Sequence, residues 1–244
     1  MIEVEVSNGI AEIGLPEAGL LTRHSVAAAR KLTEALHACD DRDDIKAIIL
    51  HNDGGDFCVV ENGDTAISSP IVWTQWQPFF AGPGGLYQSL CFSRKVTIAA
   101  VDGSCTGAGT LLALCSDICI ASAAARFGSP FRQLPEASLA LAALTMGLNR
   151  AKAWALMDSE LTATEAFHQG LVNVISSEPA LVMARRAASS IVRLPLDGLR
   201  CPSCWSKVYW TRRAWRRNST LRRSPLPACH GSGREWTDEP DGTV

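Results

Sequence analysis

Residues 95–128 hold the residue types and spacing best suited to chemistry. An apolar run, Val96 to Val101, ends at the turn Asp102-Gly103. The glycine-spaced Gly107-Ala108-Gly109 then opens a helical stretch, Leu111 to Cys115, and a second apolar run, Ile118 to Ala121, follows. A strand, a glycine-rich turn and a helix start aim unpaired backbone N–H groups into a crevice. Such groups stabilise negative charge developing on a ligand oxygen. A carboxylate one turn further on could add acid–base work, but Leu111 stands there. Ser104 and Cys105 have no base beside them and read as packing residues, and Asp102 reads as a turn former. Gly107 to Gly109 is not a P-loop, since no Gly-Lys-Ser/Thr follows. Nor is it a dinucleotide fingerprint, because Leu112 occupies the place of the third glycine. The five histidines, His24, His37, His51, His168 and His230, accompany no nucleophile motif such as GxSxG.

Flanking elements must position that turn. Residues 2–6 and 10–15 alternate about Asn8-Gly9, a hairpin signal. Residues 24–39 place Val26, Ala29, Leu32 and Leu36 at helical spacing, with Thr22 as a candidate cap. Asp40 to Asp44 reads as a solvated loop, Lys46 to Leu50 as a short buried strand, and His51 to Asp56 as a turn leading to Phe57-Cys58-Val59-Val60. Residues 61–94 carry three prolines and, among their aromatics, Trp73, Trp76, Phe79 and Phe80, and read as irregular, either a lid or pocket wall or a surface insertion. Helices are expected near 136–146, 149–157 and 163–169, then a strand, Leu171 to Ile175, and a helix over 180–192. Strands alternating with helices argue an α/β fold.

The chain of 244 residues is long enough for one sizeable core. Its 47% hydrophobic and 20% charged composition fits a soluble globular protein, and a net charge of −2 argues against general nucleic-acid binding. No apolar run approaches the ~18 residues of a membrane span. The start, MIEVEVSNGI, has neither a basic segment nor an apolar signal core, so a cytoplasmic location is expected. Cys58, Cys91, Cys105, Cys115 and Cys119 lie among apolar or small residues and read as buried, reduced thiols.

Near residue 194 the character changes. The segment 194–244 lacks sustained periodicity, holds four of the seven tryptophans, and carries the pairs Arg212-Arg213, Arg216-Arg217 and Arg222-Arg223. Such an Arg/Trp/Ser/Pro/Cys-rich stretch is what a GC-rich gene yields when read out of frame; the competing reading is a basic-aromatic tail for nucleic acid or an anionic surface. Cys201-Pro-Ser-Cys204 with Cys229-His230 has the letters of a zinc site. A single CxxC without a second spaced pair does not make one, and no metal is expected. The chain therefore divides into a core, 1–193, and an atypical tail, 194–244.

Four segments carry a family resemblance. They are Ala47-Ile48-Ile49-Leu50 with Gly55-Asp56-Phe57-Cys58-Val59; Lys95 to Gly109; Cys115-Ser116-Asp117-Ile118 with Ala125-Arg126-Phe127-Gly128; and Leu161-Thr162-Ala163 with Glu165-Ala166 and Gly170-Leu171-Val172. In order and spacing the chain resembles the enoyl-CoA hydratase/isomerase (crotonase) superfamily over about residues 2–193. The resemblance implies ββα units coiled into a spiral, acyl-CoA ligands, and a homo-oligomer, a trimer or a dimer of trimers. Coenzyme A would enter only as part of the substrate, with no other cofactor and no nucleic-acid or membrane partner.

It also implies the chemistry: a thioester carbonyl polarised by two backbone N–H groups. By position these are the amides of Val59 and Ala108, with Gly107, Gly109, Leu111 and Phe131 lining the substrate site. Val60 replaces a usual glycine, and Ala108 replaces the middle glycine of a Gly-Gly-Gly run. Two glutamates serve hydratases; here Leu111 and Phe131 stand in their places, and neither can move a proton. Phe131 to Ser138 resembles the isomerase branch, where a glutamate in a PEA-S context shifts a proton between carbons, although this chain is three residues shorter before Pro135-Glu136. Glu136 is therefore the first candidate acid–base residue and Glu61 the second. Isomerisation of an enoyl-CoA double bond is expected over hydration, with a catalytically inactive acyl-CoA-binding or subunit-partner protein as the alternative.

Overall fold

Alternating side chains around Asn8-Gly9 produce the first hairpin, β1 (Glu3–Ser7) and β2 (Ile10–Gly14). Asn8 and Gly9 both take positive φ, 50° and 80°, the primed turn whose twist matches paired strands. The computed structural model describes residues 2–15, 26–52, 55–58, 84–131 and 135–195, except the side chains of 135–138. All of these fall in one compact unit, Met1–Lys207. Thr22 and the tail from residue 196 onward lie outside the described residues.

After α1 (Val26–Asp40), the chain builds two sheets in alternation. β3 (Ala47–His51), β4 (Val96–Val101), β6 (Ile118–Ser122) and β9 (Val174–Ser176) join the hairpin in a six-stranded sheet of order β1-β2-β3-β4-β6-β9. Its pairings from β2 onward are parallel, and β1 is antiparallel to β2 at the edge. β5 (Ser104–Cys105), β7 (Arg126–Phe127) and β8 (Leu161–Thr162) form a second sheet, with Cys58 bridging in parallel to Cys105. Each of β3, β4 and β6 is thus followed by a short segment in the smaller sheet and then a helix: α2 (Leu86–Cys91), α3 (Ala108–Cys115) and α4 (Pro135–Met146). The expected succession of ββα units is present. α5 (Leu148–Met157), α6 (Ala163–Gln169) and α7 (Ala180–Val192) complete the described chain.

The central strands β3, β4 and β6 of the large sheet are buried on both faces, as their near-continuous apolar sequences require. On one face α7 lays Ala180, Ala184 and Ala188 against Ile10, Ala47, Ile49, Ile98, Ala100 and Ile120. Alanines four apart give the helix a flat stripe that lets it approach the sheet closely. On the other side lies α3, AGTLLALC, apolar around its whole circumference and buried at all eight positions. An uncapped start of such a helix is held inside the protein rather than in bulk water.

Two expectations need correction. Residues 61–94 were expected to be irregular throughout, but Leu86–Cys91 is a helix that buries Leu86, Tyr87 and Leu90. Six residues are too few for the periodicity to register. The strand expected at Leu171 to Ile175 is only Val174–Ser176. Gly170 ends α6 in the left-handed region at φ 88°, and the Leu171 and Val172 amides both donate back to Ala166 O, at 2.9 and 3.2 Å. That capping turn takes the first residues of the apolar run away from the sheet.

Candidate active site

Gly107 starts the site. Its φ of 52° and ψ of −114° are open only to glycine, and they turn the chain sharply into α3. Ala108 is the first helical residue. The next amide, Gly109 N–H, donates to Thr106 O at 2.9 Å, and Leu111 N–H donates to Gly107 O at 3.2 Å. Among the described residues, Ala108 N–H has no backbone acceptor. As the first amide of the helix it has no intrahelical acceptor, and it stands at the positive end of a buried helix.

The segment Gly55 to Cys58 is clamped against this turn. Asp56 Oδ1 accepts from Ser104 N–H at 2.7 Å, Phe57 N–H donates to Ser104 O at 2.9 Å, and Thr106 N–H donates to Cys58 O at 2.9 Å. A Cβ at Gly109 would stand 2.5 Å from Cys58 Cβ, so glycine is required there by close approach. Burial pushes the Cys58 thiol up to about 11, against the opposing pull of the Gly109 amide. Cys58 is the residue immediately before Val59. Val59 itself and Glu61 lie outside the described residues, as do the aromatic residues from Trp73 to Phe80.

Leu111 and Phe131 are both packed. Leu111 is fully buried in α3. Phe131 is 8% exposed and presents its ring edge-on to Trp154 of α5, with centroids 5.7 Å apart and planes at 89°. Thr110 Oγ1 lies 2.8 Å from both Cys105 O and Gly128 O, tying α3 to the segment that leads to Phe131. Glu136 is the second residue of α4, and its side chain lies outside the description. No group of three or more potential metal-ligating side chains occurs among the described residues.

Asp102 does more than turn the chain. Its two carboxylate oxygens accept from Ala180 N–H at 3.0 and 3.2 Å, capping α7 from 78 positions away. It borders a groove of about 590 Å³ at the carboxyl ends of β3, β4, β6 and β9. Two of the polar groups there are already engaged: Ser176 Oγ by Glu178 N–H, and Glu178 by Arg186. The groove includes none of Gly107, Ala108, Gly109, Leu111 or Phe131. The sequence held no local signal for this cap, because donor and acceptor meet only through tertiary packing.

The sequence model of the enoyl-CoA hydratase/isomerase family matches residues 5–198. The chain belongs to that family. It is 30% identical over 180 residues to a probable enoyl-CoA hydratase of Rhodobacter capsulatus, covering 70% of this chain and 66% of that protein. It is 28% identical over 204 residues to the 1,2-epoxyphenylacetyl-CoA isomerase of Escherichia coli, covering 80% and 77%. With a 4-chlorobenzoyl coenzyme A dehalogenase of Arthrobacter it shares 27% identity over 188 residues, covering 72% and 66%. The match thus spans just under two thirds of the Rhodobacter and Arthrobacter proteins. Among solved structures, a probable enoyl-CoA hydratase from Mycobacterium smegmatis superposes with a TM-score of 0.75 at 22% identity, covering 90% of each chain. An enoyl-CoA hydratase subunit from Geobacillus kaustophilus superposes with a TM-score of 0.72 at 27% identity, covering 91% of this chain and 89% of that one. The crotonase-like fold expected from the four sequence segments is therefore the fold of this enoyl-CoA hydratase/isomerase family member.

Proposed function

We propose that this family member acts on acyl-CoA thioesters, holding the thioester oxygen on the backbone N–H groups of Ala108 and Val59 while an enolate forms. The reading rests on Ala108: an amide without a backbone acceptor among the described residues, at the start of a wholly buried helix. Cys58, one residue before Val59, is fastened to that helix start, which supports convergence of the two amides. The relatives' names share acyl-CoA substrates while their reactions differ, which fits a common oxyanion site with changing acid–base residues.

Isomerisation of an enoyl-CoA double bond is favoured over hydration. Hydration needs groups to activate water and protonate carbon. Leu111, fully buried, and Phe131, edge-on to Trp154, supply neither. Glu136, in the first turn of α4, is the proposed proton shuttle and Glu61 the alternative. No metal or redox cofactor is called on; coenzyme A arrives with the substrate, and the chain works as a homo-oligomer. The test is incubation with a 3-enoyl-CoA while following 2-enoyl-CoA formation. Turnover that falls steeply in Glu136→Gln supports the assignment, and full rate in that variant removes Glu136 from it.

A second reading has its own support. Two apolar packed residues at both hydratase carboxylate positions also suit a protein that binds acyl-CoA without turning it over. Saturable binding of an acyl-CoA with no conversion of 2- or 3-enoyl-CoA would favour it.

A further inference from the structure

Phe131 is held near the Ala108 amide. Gly128 N–H donates to Cys105 O at 2.8 Å, and Gly128 O lies 2.8 Å from Thr110 Oγ1. Cys105 and Thr110 bracket Ala108 in sequence. Phe131 follows Gly128 by three residues, a reach of at most about 11 Å. A Cβ at Gly128 would stand 2.8 Å from Thr106 Cγ2, so the two segments are in direct contact. Trp154 fixes the far side of Phe131. It is 2% exposed and meets the Phe131 ring edge-on. Its indole N–H donates to Ser159 O at 2.7 Å, and its carbonyl accepts from Asp158 N–H at 3.0 Å. Asp158 lies in the left-handed region, φ 48°, where it ends α5 and turns the chain. Beyond that turn Leu161 pairs with Phe127, and Thr162 with Arg126. The contacts therefore close on themselves: β7 pairs with β8, the turn before β8 holds the Trp154 indole, and Trp154 meets Phe131. A buried indole pinned at its N–H leaves the ring beside it little room to turn.

We propose that Phe131 and Trp154 form a fixed aromatic wall beside the thioester carbonyl, with Trp154 as its positioning residue, and that this wall selects acyl groups unbranched at the carbon next to the carbonyl. The proposal rests on the acyl-CoA reading above. With the thioester oxygen on the Ala108 amide, Phe131 stands beside the first acyl carbons rather than at the far end of the chain. A straight chain passes along the wall. A methyl branch at the first carbon meets a ring that is already packed from behind, and overpacking there is unfavourable.

The experiment uses the full chain and measures, by isothermal titration, its affinity for butanoyl-CoA, for the branched isomer 2-methylpropanoyl-CoA and for free coenzyme A. The two thioesters contain the same atoms, so the ratio of their affinities reports shape. The wild type is expected to prefer butanoyl-CoA by about tenfold, the discrimination that one methylene carries in an apolar pocket. Trp154→Phe and Phe131→Leu should each lower that ratio severalfold while the affinity for free coenzyme A stays unchanged. A general loosening of the fold would instead weaken all three ligands together. The double variant should show the ratio of Phe131→Leu alone, because Trp154 acts through Phe131. Equal binding of the two isomers by the wild type overturns the proposal. So does a wild-type ratio in either folded variant, or an additive effect in the double variant. Phe131→Leu leaves Trp154 in place, so it decides whether the wall exists even if Trp154→Phe does not fold. A wild type that binds free coenzyme A but neither thioester, or none of the three, overturns the acyl-CoA reading itself and this proposal with it.

Discussion

Ala108 matters through its main chain, so the informative substitution is one that deletes an N–H. Proline at the first position of a helix is accommodated, since its fixed φ suits that place. Ala108→Pro is expected to leave the circular dichroism spectrum intact while lowering kcat on an acyl-CoA substrate by about 10²–10³-fold, the usual effect of losing one oxyanion donor. Gly109→Ala tests the close approach. Its new methyl would meet Cys58 Cβ at 2.5 Å, so the segment must shift. A loss of about 1–3 kcal/mol is expected, read as a lower urea midpoint with an unchanged slope. At this scale the sequence was legible where chemistry is local. The glycine-spaced turn marked a helix start, and a helix does begin at Ala108, while the residue types at 111 and 131 excluded carboxylate chemistry there. The partner of Phe131 was not legible, because Trp154 comes from a later helix. Nor was the role of Asp102, whose acceptor function depends on where α7 begins.

Elements are tied together by a few long-range polar contacts, and these set the measurable stability. Asp102→Ala removes the carboxylate that receives the first amide of α7 and leaves that amide without its acceptor. A loss of about 1–2 kcal/mol is expected in urea unfolding. Glu12 of β2 accepts two hydrogen bonds from Arg185 of α7, at 2.8 and 2.7 Å, fixing the helix across the sheet. The Arg185 hydrogen bond, opposed in part by burial, holds the Glu12 carboxyl below its ordinary value of 4.5. A depressed folded-state value means that the contribution is fully present at neutral pH and above 4.5. It fades as the pH falls through the folded-state value. Arg185→Ala is accordingly expected to lower stability at pH 7 and to flatten the acid limb of a thermal-midpoint profile. Long, strongly periodic helices such as α1 and α7 were legible in the sequence to within about two residues, as was the Asn8-Gly9 hairpin. The six-residue α2 escaped, and the short strand β9 was drawn too early because a helix cap and a strand both use apolar residues.

For the whole molecule, the repeated alternation of strand and helix signals made an α/β fold legible, whereas the spiral of ββα units came from the resemblance of four segments to the family. The segment 59–83 and the tail had no such repetition, and both lie outside the described residues. A homo-oligomer remains a proposal drawn from the family; light scattering on the full chain reads it directly, and a mass of one chain overturns it. Among the described strands β1 forms one border of the large sheet, with Glu3 and Glu5 exposed and Glu5 opposite Glu12. A second copy laid along that border at neutral pH would set carboxylate rows against each other, whereas the backbone groups there are otherwise ready to pair. Arg185 neutralises Glu12 but leaves the outer two acids uncompensated by it. These two side chains therefore act as a guard on solubility. Storage in acid would remove it, and turbidity should rise there before the core melts.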